Sequence, residues 1–298
     1  MSSGVEAAVS HQTGRGHSRD FRSRYLDWHA VGVFAAKNLR IAVRYPANWI
    51  IWGFLPVLWF APYLLMMIAI SGPGTSQSFE QISGFSDFIA FSIIGVFVYQ
   101  YVDKSVWSIG NNFRWEQFSG TLEPLFVTPV PRTSILLGAA LSDTVQVTFS
   151  ALVLLGFSSF LFGVSYATST VLPILVMLIM MLLGLYGFSF VLAGLIIVFK
   201  DPNVLTQLVS NVTYVLSPIT YPLQALPGPV RFAAVFVPST IAMITIRDLA
   251  MTGWFEPVSY LNALSVLTLV VSLFWLIGLL TFRYADRWVR ERGTMGGF

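Results

Sequence analysis

The run Val171-Leu-Pro-Ile-Leu-Val-Met-Leu-Ile-Met-Met-Leu-Leu-Gly-Leu-Tyr-Gly-Phe-Ser-Phe-Val-Leu-Ala-Gly-Leu-Ile-Ile-Val-Phe199 carries no charged side chain from one end to the other. Rising about 1.5 Å per residue, a helix of that length exceeds the roughly 30 Å hydrocarbon core of a bilayer. In lipid its backbone groups can bond only to one another, which dictates a helix. Working outward, comparable apolar stretches run from about Trp49 to Ile70, Phe85 to Trp107, Ile135 to Phe162, Val204 to Leu223 and Leu261 to Phe282. The expected fold is an all-α integral membrane protein with six transmembrane helices.

Composition leads to the same place. Hydrophobic residues make up 55% of the 298-residue chain and charged residues only 10%, too few to cover a globular surface, where about a quarter of residues are charged. The mean hydropathy is +0.72 and the pI near 9.2. The net charge of +3 is no nucleic-acid signal, because the basic residues flank apolar segments instead of gathering on one polar face. With no cysteine in the chain, disulfides, thiolate catalysis and cysteine-bound metals are excluded.

Most of the 17 Lys and Arg residues lie in the two termini and in the loops on their side. The loops opposite hold only Arg231 and Arg247. The positive-inside rule then places both termini in the cytoplasm. Residues 1–27, with Arg15, Arg19, Arg22 and Arg24 but no apolar run, are expected to form a flexible cytoplasmic tail and not a cleavable leader. Residues 28–284 form the membrane domain, and 285–298 a cytoplasmic C-terminal tail.

Two segments depart from simple spans. Trp28, Val31, Ala35, Leu39 and Ala42 share one helical face and Lys37, Arg40 and Arg44 the other, the pattern of a helix lying in the membrane interface, ended by Pro46. Between the fifth and sixth spans, Gln224 to Tyr260 is too apolar for a solvated loop, yet Pro227, Pro229 and Pro238 forbid one continuous helix. Val230–Val237 and Ser239–Ile246 are each too short to cross, so a re-entrant helical hairpin turning near Pro238 is expected, the alternative being two further spans.

For chemistry the sequence is sparse. None of the three lysines, Lys37, Lys104 and Lys200, sits in a phosphate-binding glycine loop, so the chain is not expected to hydrolyse ATP. His11, His17 and His29 all precede the first span, leaving no intramembrane histidine for a metal site or proton relay. No G-x-S-x-G nucleophile motif occurs. The informative stretch joins spans 2 and 3, Arg114-Trp-Glu-Gln-Phe-Ser-Gly-Thr-Leu-Glu-Pro-Leu-Phe-Val-Thr-Pro-Val-Pro-Arg132. Glu116 and Glu123 are one heptad apart, and Phe118, Leu122, Leu125 and Phe126 add an apolar surface suited to docking another protein.

That stretch resembles the type-2 ABC exporter permeases, especially the bacterial drug-resistance branch typified by daunorubicin exporters. The likeness lies in Glu116-x-x-x-Gly120-Thr121-Leu122-Glu123-x-Leu125-x-x-Thr128-Pro129-x-x-Arg132, followed by Leu137-Gly138. A second part lies in Pro202, Pro222, Leu226-Pro227, Pro238-Ser-Thr240 and Arg247. Together with the hydropathy it covers about Val31 to Tyr284. The resemblance implies a half-transporter in a prokaryotic plasma membrane. Two permeases, copies or paralogues, would pair in the lipid bilayer, and two cytoplasmic ABC ATPase subunits would bind ATP and Mg, this chain holding no cofactor itself. Glu116, Gly120, Thr121, Leu122, Glu123 and Arg132 would then lie in or beside the coupling helix.

Charges within spans are costly, about 2.5 to 3.5 kcal/mol each even on lenient insertion scales. Lys104 and Asp143 are expected either to pair between helices or to snorkel to the interface, with Asp103 beside Lys104 near the same edge. Gln207, Asn211 and Tyr214 form a stripe on span 5, and Ser92, Val96 and Tyr99 one on span 2. These faces are the candidate substrate path, or else hydrogen-bonding contacts between helices. An interior of this kind favours amphipathic or hydrophobic cargo: a drug, natural product, lipid or lipid-linked glycan. The rivals are a secondary transporter, which should show inverted repeats and acidic coupling sites, and a membrane-embedded enzyme or assembly factor, which should show convergent His, Asp or Ser groups in its spans.

Overall fold

A computed structural model describes residues 26–72, 76–118, 130–199 and 202–292. Among these the chain is helical throughout, in the order α1 (Trp28–Val43), α2 (Pro46–Ser71), α3 (Gln77–Ser83), α4 (Phe88–Phe118), α5 (Arg132–Phe162), α6 (Val171–Phe199), α7 (Pro202–Leu216), α8 (Gly228–Val235), α9 (Pro238–Thr252) and α10 (Pro257–Arg292). Five helices are long and apolar enough to cross a membrane: Pro46–Ile70, Phe88–Ser108, Thr133–Phe162, Val171–Ile196 and Pro257–Ala285. The protein is a multi-pass helical membrane protein. α10 continues helically beyond Tyr284 to Arg292.

The centre of the bundle is α6, which packs along α10 on one side and against α4 and α9 on another. Its mid-section contributes Met177, Met181 and Leu185, sealed against Val98 and Tyr101 of α4, Met243 and Ile246 of α9, and Leu267 of α10. Between α6 and α10 the backbones approach closely. A Cβ on Gly187 would lie 2.8 Å from the Trp275 nitrogen, and one on Gly278 would strike the Gly187 carbonyl. Without a hydrophobic driving force in lipid, such small-residue contacts are how helices gain packing energy. The Trp275 indole adds a bond of 2.9 Å to the Leu183 carbonyl.

α1 packs on α5, burying Val31 and Ala35. Asp27 caps its N-terminus by accepting from the His29 and Ala30 amides, while its own amide donates 2.8 Å to Ser134. α2 is apolar all round and carries Pro56 and Pro62 in its interior. Pro56 lacks the N–H that would bond the Trp52 carbonyl one turn earlier. The Ser150 hydroxyl of α5 donates to that carbonyl instead, at 3.2 Å.

The fifth expected span does not run as anticipated. Val204 to Leu223 was expected as one helix, whereas α7 stops at Leu216 after 15 residues, about 22 Å at 1.5 Å per residue and too short for the helix alone to cross. Pro218 ends it, having no N–H for the next helical bond. The sixth candidate span is instead the pair α8 and α9, bent by 90° immediately before Pro238.

Just past the end of α7, the carbonyls of the turn that follows are captured by Arg247 from α9. The guanidinium Nη2 donates to Pro218 O at 2.9 Å and Ile219 O at 2.8 Å, and Nε donates to Phe91 O of α4 at 3.1 Å. The group also lies over the Phe91 ring, 3.5 Å from its centroid, and is only 2% exposed. Ser217 and Ser239 share a hydrogen bond of 3.0 Å beside it. Gly95 makes room for this junction, because a Cβ there would overlap the Ile219 carbonyl and press on the Arg247 guanidinium.

Gly95→Ala is therefore expected to destabilise the protein by about 1–3 kcal/mol through overpacking. Gly156→Ala, in a helix with nothing within 4 Å of the added carbon, should be neutral or stabilising by up to about 1 kcal/mol. Thermal unfolding of both variants in one detergent checks the contrast, and equal melting temperatures would refute the close approach.

Candidate functional site

α4 lies between α5 and α7, and neighbouring residues on a helix point about 100° apart. The adjacent charges Asp103 and Lys104 consequently serve different partners. Lys104 Nζ lies 3.3 Å from Asp143 Oδ1 of α5, the Asp143 side chain being 15% exposed and the Lys104 side chain 39%. Ser108, one turn further along α4, donates a hydrogen bond to Asp143 Oδ2. Asp103 faces the other way and accepts 2.8 Å from the Ser210 hydroxyl of α7, with a further hydrogen bond from Trp107.

Around the Lys104–Asp143 pair a polar seam joins three helices. Tyr101 donates to Thr148 at 3.2 Å, Thr144 pairs with Tyr186 of α6, Tyr186 also reaches Ala140 O at 3.2 Å, and Ser189 donates 2.9 Å to Ser105 O. One turn beyond, Ser150 Oγ lies 2.7 Å from Gln100 Oε1, its single proton shared between that amide and the Trp52 carbonyl. The seam encloses a cavity of about 20 Å³, room for a single water among several polar neighbours. Each hydroxyl is satisfied across a helix interface, so the seam fixes the relative positions of α4, α5 and α6.

On the α7 side, Tyr99 donates to Ser210 O at 3.4 Å and packs edge to face on Tyr214, ring centroids 5.3 Å apart. Gln207 donates 3.0 Å to Asn211 one turn on, both exposed along with Tyr214, and Val204, Leu208, Val212 and Val215 flank them. The structure thus joins Tyr99 to the α7 stripe. Ser92 and Val96 stand elsewhere, the first sealed at 1% exposure and the second packed on the central core.

Of the residues expected at the coupling segment, Glu116 falls in the last turns of α4 and Arg132 opens α5. Gly120, Thr121, Leu122 and Glu123 lie outside the described residues. Sequence reasoning named Asp103 without a partner and counted Arg247 as a loop charge. The signal for Arg247 was its place in an apolar 15-residue helix, where a charge has to find backbone acceptors or a counter-ion. Ser210 and Gln100 gave no signal beyond being polar residues on apolar helices.

Comparison with known protein families and with curated proteins finds no match for this chain. The site is therefore read from its own chemistry: a partly buried ion pair and seam that join α4, α5 and α6, and an exposed aromatic and amide face on α7.

A double-mutant cycle on Lys104→Met and Asp143→Asn should show a coupling of about 0.5–1 kcal/mol, at the low end for contacting groups because the Lys104 side chain is partly exposed. Unfolding free energies of the four proteins in mixed micelles measure it. Strict additivity would mean that the two charges do not support one another.

Proposed function

We propose that this chain is the membrane-spanning permease of an ATP-driven exporter of the type-2 ABC class, working as one of two permeases with two separate ATPase subunits. The observation that carries the reading is the run from Glu116 to Arg132, in register with that family at many positions within one connection. Its setting supports the reading. The apolar part of α4 ends at Ser108, yet the helix continues to Phe118. At about 1.5 Å per residue this carries Glu116 some 12 Å past the apolar part of the helix. Carboxylates held at a membrane edge are suited to basic residues on a docked protein. In this reading α7 and the non-helical stretch that follows it together make the fifth crossing, the bent pair α8 and α9 is a re-entrant hairpin on the outer side, and both termini lie in the cytoplasm.

In this reading ATP binding draws the ATPases together, and the connection between α4 and α5 passes the movement to the bundle as alternating access. The open α7 face, with Gln207, Asn211 and Tyr214 among apolar neighbours, supplies hydrogen bonds on an aromatic and aliphatic background. That combination suits an amphipathic or hydrophobic cargo.

Two measurements test the proposal. Glu123→Lys should abolish co-purification of the ATPase and transport while leaving membrane insertion intact, because like charges would then face each other at the contact. Unchanged co-purification and transport would remove the coupling role. Asn211→Leu should change the order in which substrates stimulate ATP hydrolysis by the reconstituted complex. A uniform fall in all activities, accompanying a stability loss of about 0.6 kcal/mol, would instead mark Asn211 as a packing contact.

A further inference from the structure

Near the end of the bundle that holds Phe88 and Phe162, α2, α4 and α5 do not close on one another. They leave a crevice of about 240 Å³, walled by Phe60, Ala61 and Leu64 of α2, Ile93 of α4, and Leu154 and Phe157 of α5. Every surface it presents is apolar. The one polar group on its wall, the Ser158 hydroxyl, is occupied elsewhere, bonding the Leu155 carbonyl at 2.9 Å and the Tyr166 hydroxyl at 2.8 Å. Water therefore has no partners there, and needs at least two. An apolar cavity of about 150 Å³ in a soluble protein already takes up benzene, so this larger one accommodates a longer hydrocarbon.

The way α2 is attached explains why the crevice exists and where it opens. On one side of it α2 is pinned by Ser150 on the Trp52 carbonyl and by Phe54 edge to face on Phe157. On the other side Tyr63 donates to Thr220 O at 3.3 Å, and Phe60 and Leu64 join the cluster around Phe88. Between these attachments Leu58 and Leu161 flank the opening with exposed side chains, 67% and 52% accessible, on two membrane-spanning helices. The medium at that opening is bilayer hydrocarbon. An unfilled crevice would forfeit the dispersion contacts of all its lining atoms.

We propose that this crevice is a binding site for one acyl chain of a bilayer phospholipid, which enters sideways between α2 and α5 and completes the packing of α2. The headgroup stays outside, because the walls offer it no hydrogen bond. The site does not depend on the exporter reading, since it requires neither nucleotide nor an ATPase.

The test uses the full-length protein reconstituted in bilayers containing a phosphatidylcholine with a photoactivatable diazirine in mid-chain, followed by peptide mapping. Cross-links on residues 57–64 and 154–162 should exceed those on the lipid-facing Leu269 and Leu276 of α10 several-fold, and Ala61→Phe, which fills the crevice, should abolish that excess. In lipid-depleted detergent the filled variant should melt at a higher temperature than the native chain, an advantage that added phospholipid should remove by stabilising only the native chain. Should Ala61→Phe fail to fold, Val57→Phe fills the same space from the neighbouring turn. Even labelling of all lipid-facing helices, or undiminished labelling in a folded filled variant, overturns the proposal. So does disulfide-linked dimer through Ala61→Cys, the only cysteine such a chain would hold, because the crevice would then be an interface between copies.

Discussion

The three hydrogen bonds from Arg247 to the carbonyls of Phe91, Pro218 and Ile219 hold together the part of the structure that lipid would otherwise forbid. A backbone carbonyl left unpaired in hydrocarbon costs several kcal/mol, so a helix can end inside a bundle only where another group takes its last acceptors. The turn that follows α7 is held that way. A guanidinium suits the task because its planar fork reaches several acceptors at once and is more weakly hydrated than an ammonium. Its charge is offset by carbonyl dipoles and the Phe91 ring, with no carboxylate among its described partners. Once Arg247 is fixed, so are α9, which carries it, and the close approach of α4 at Gly95.

The same constraint acts on a smaller scale elsewhere. Pro56 frees one carbonyl inside α2, and Ser150 of another helix pairs with it. The interior is correspondingly rich in serine and threonine: Ser92, Ser105, Ser142, Ser189 and Ser210 are all buried. These side chains are small enough for helices to approach and polar enough to bond a neighbouring carbonyl or hydroxyl. Each contact is worth only about 0.6 kcal/mol in a membrane. Where these side chains bond across to another helix, as Ser189 does to Ser105 O and Ser210 to Asp103, they specify which helix faces which, a task that hydrophobicity cannot perform when the surroundings are as apolar as the core.

Existence of the long helices was legible in the sequence because solvent alone determines it: a charge-free run such as 171–199 has one stable conformation in hydrocarbon. The α7 error came from the same reasoning. Val204 to Leu223 is apolar enough to span, but hydropathy does not register that Pro218 removes a donor or that Arg247, distant in sequence, takes the carbonyls of the turn that follows. The bend before Pro238 was legible since proline acts locally. For the site, pairing Lys104 with Asp143 could be argued from cost, and the two lie 3.3 Å apart. The partners of Asp103 could not, because hydrophobic α4 and α7 faces give no periodic signal for which serine will meet which carboxylate.

α4 connects these features, and its rigidity gives them a shared consequence. Near one end its Phe91 carbonyl is bonded to Arg247; in its middle Asp103 and Lys104 hold α7 and α5 respectively; at the other it continues to Phe118, where the segment proposed for ATPase docking begins. A helix of 31 residues transmits displacement along its length without absorbing it. A shift at the Phe118 end must then either carry α5 and α7 along or break a charge-assisted bond inside the bundle, which is costly because the group left behind is buried. Moving the helices together is the cheaper course. On the exporter reading, that is why charges worth so little as stabilisers lie on the one helix that reaches from the docking segment to the Arg247 junction.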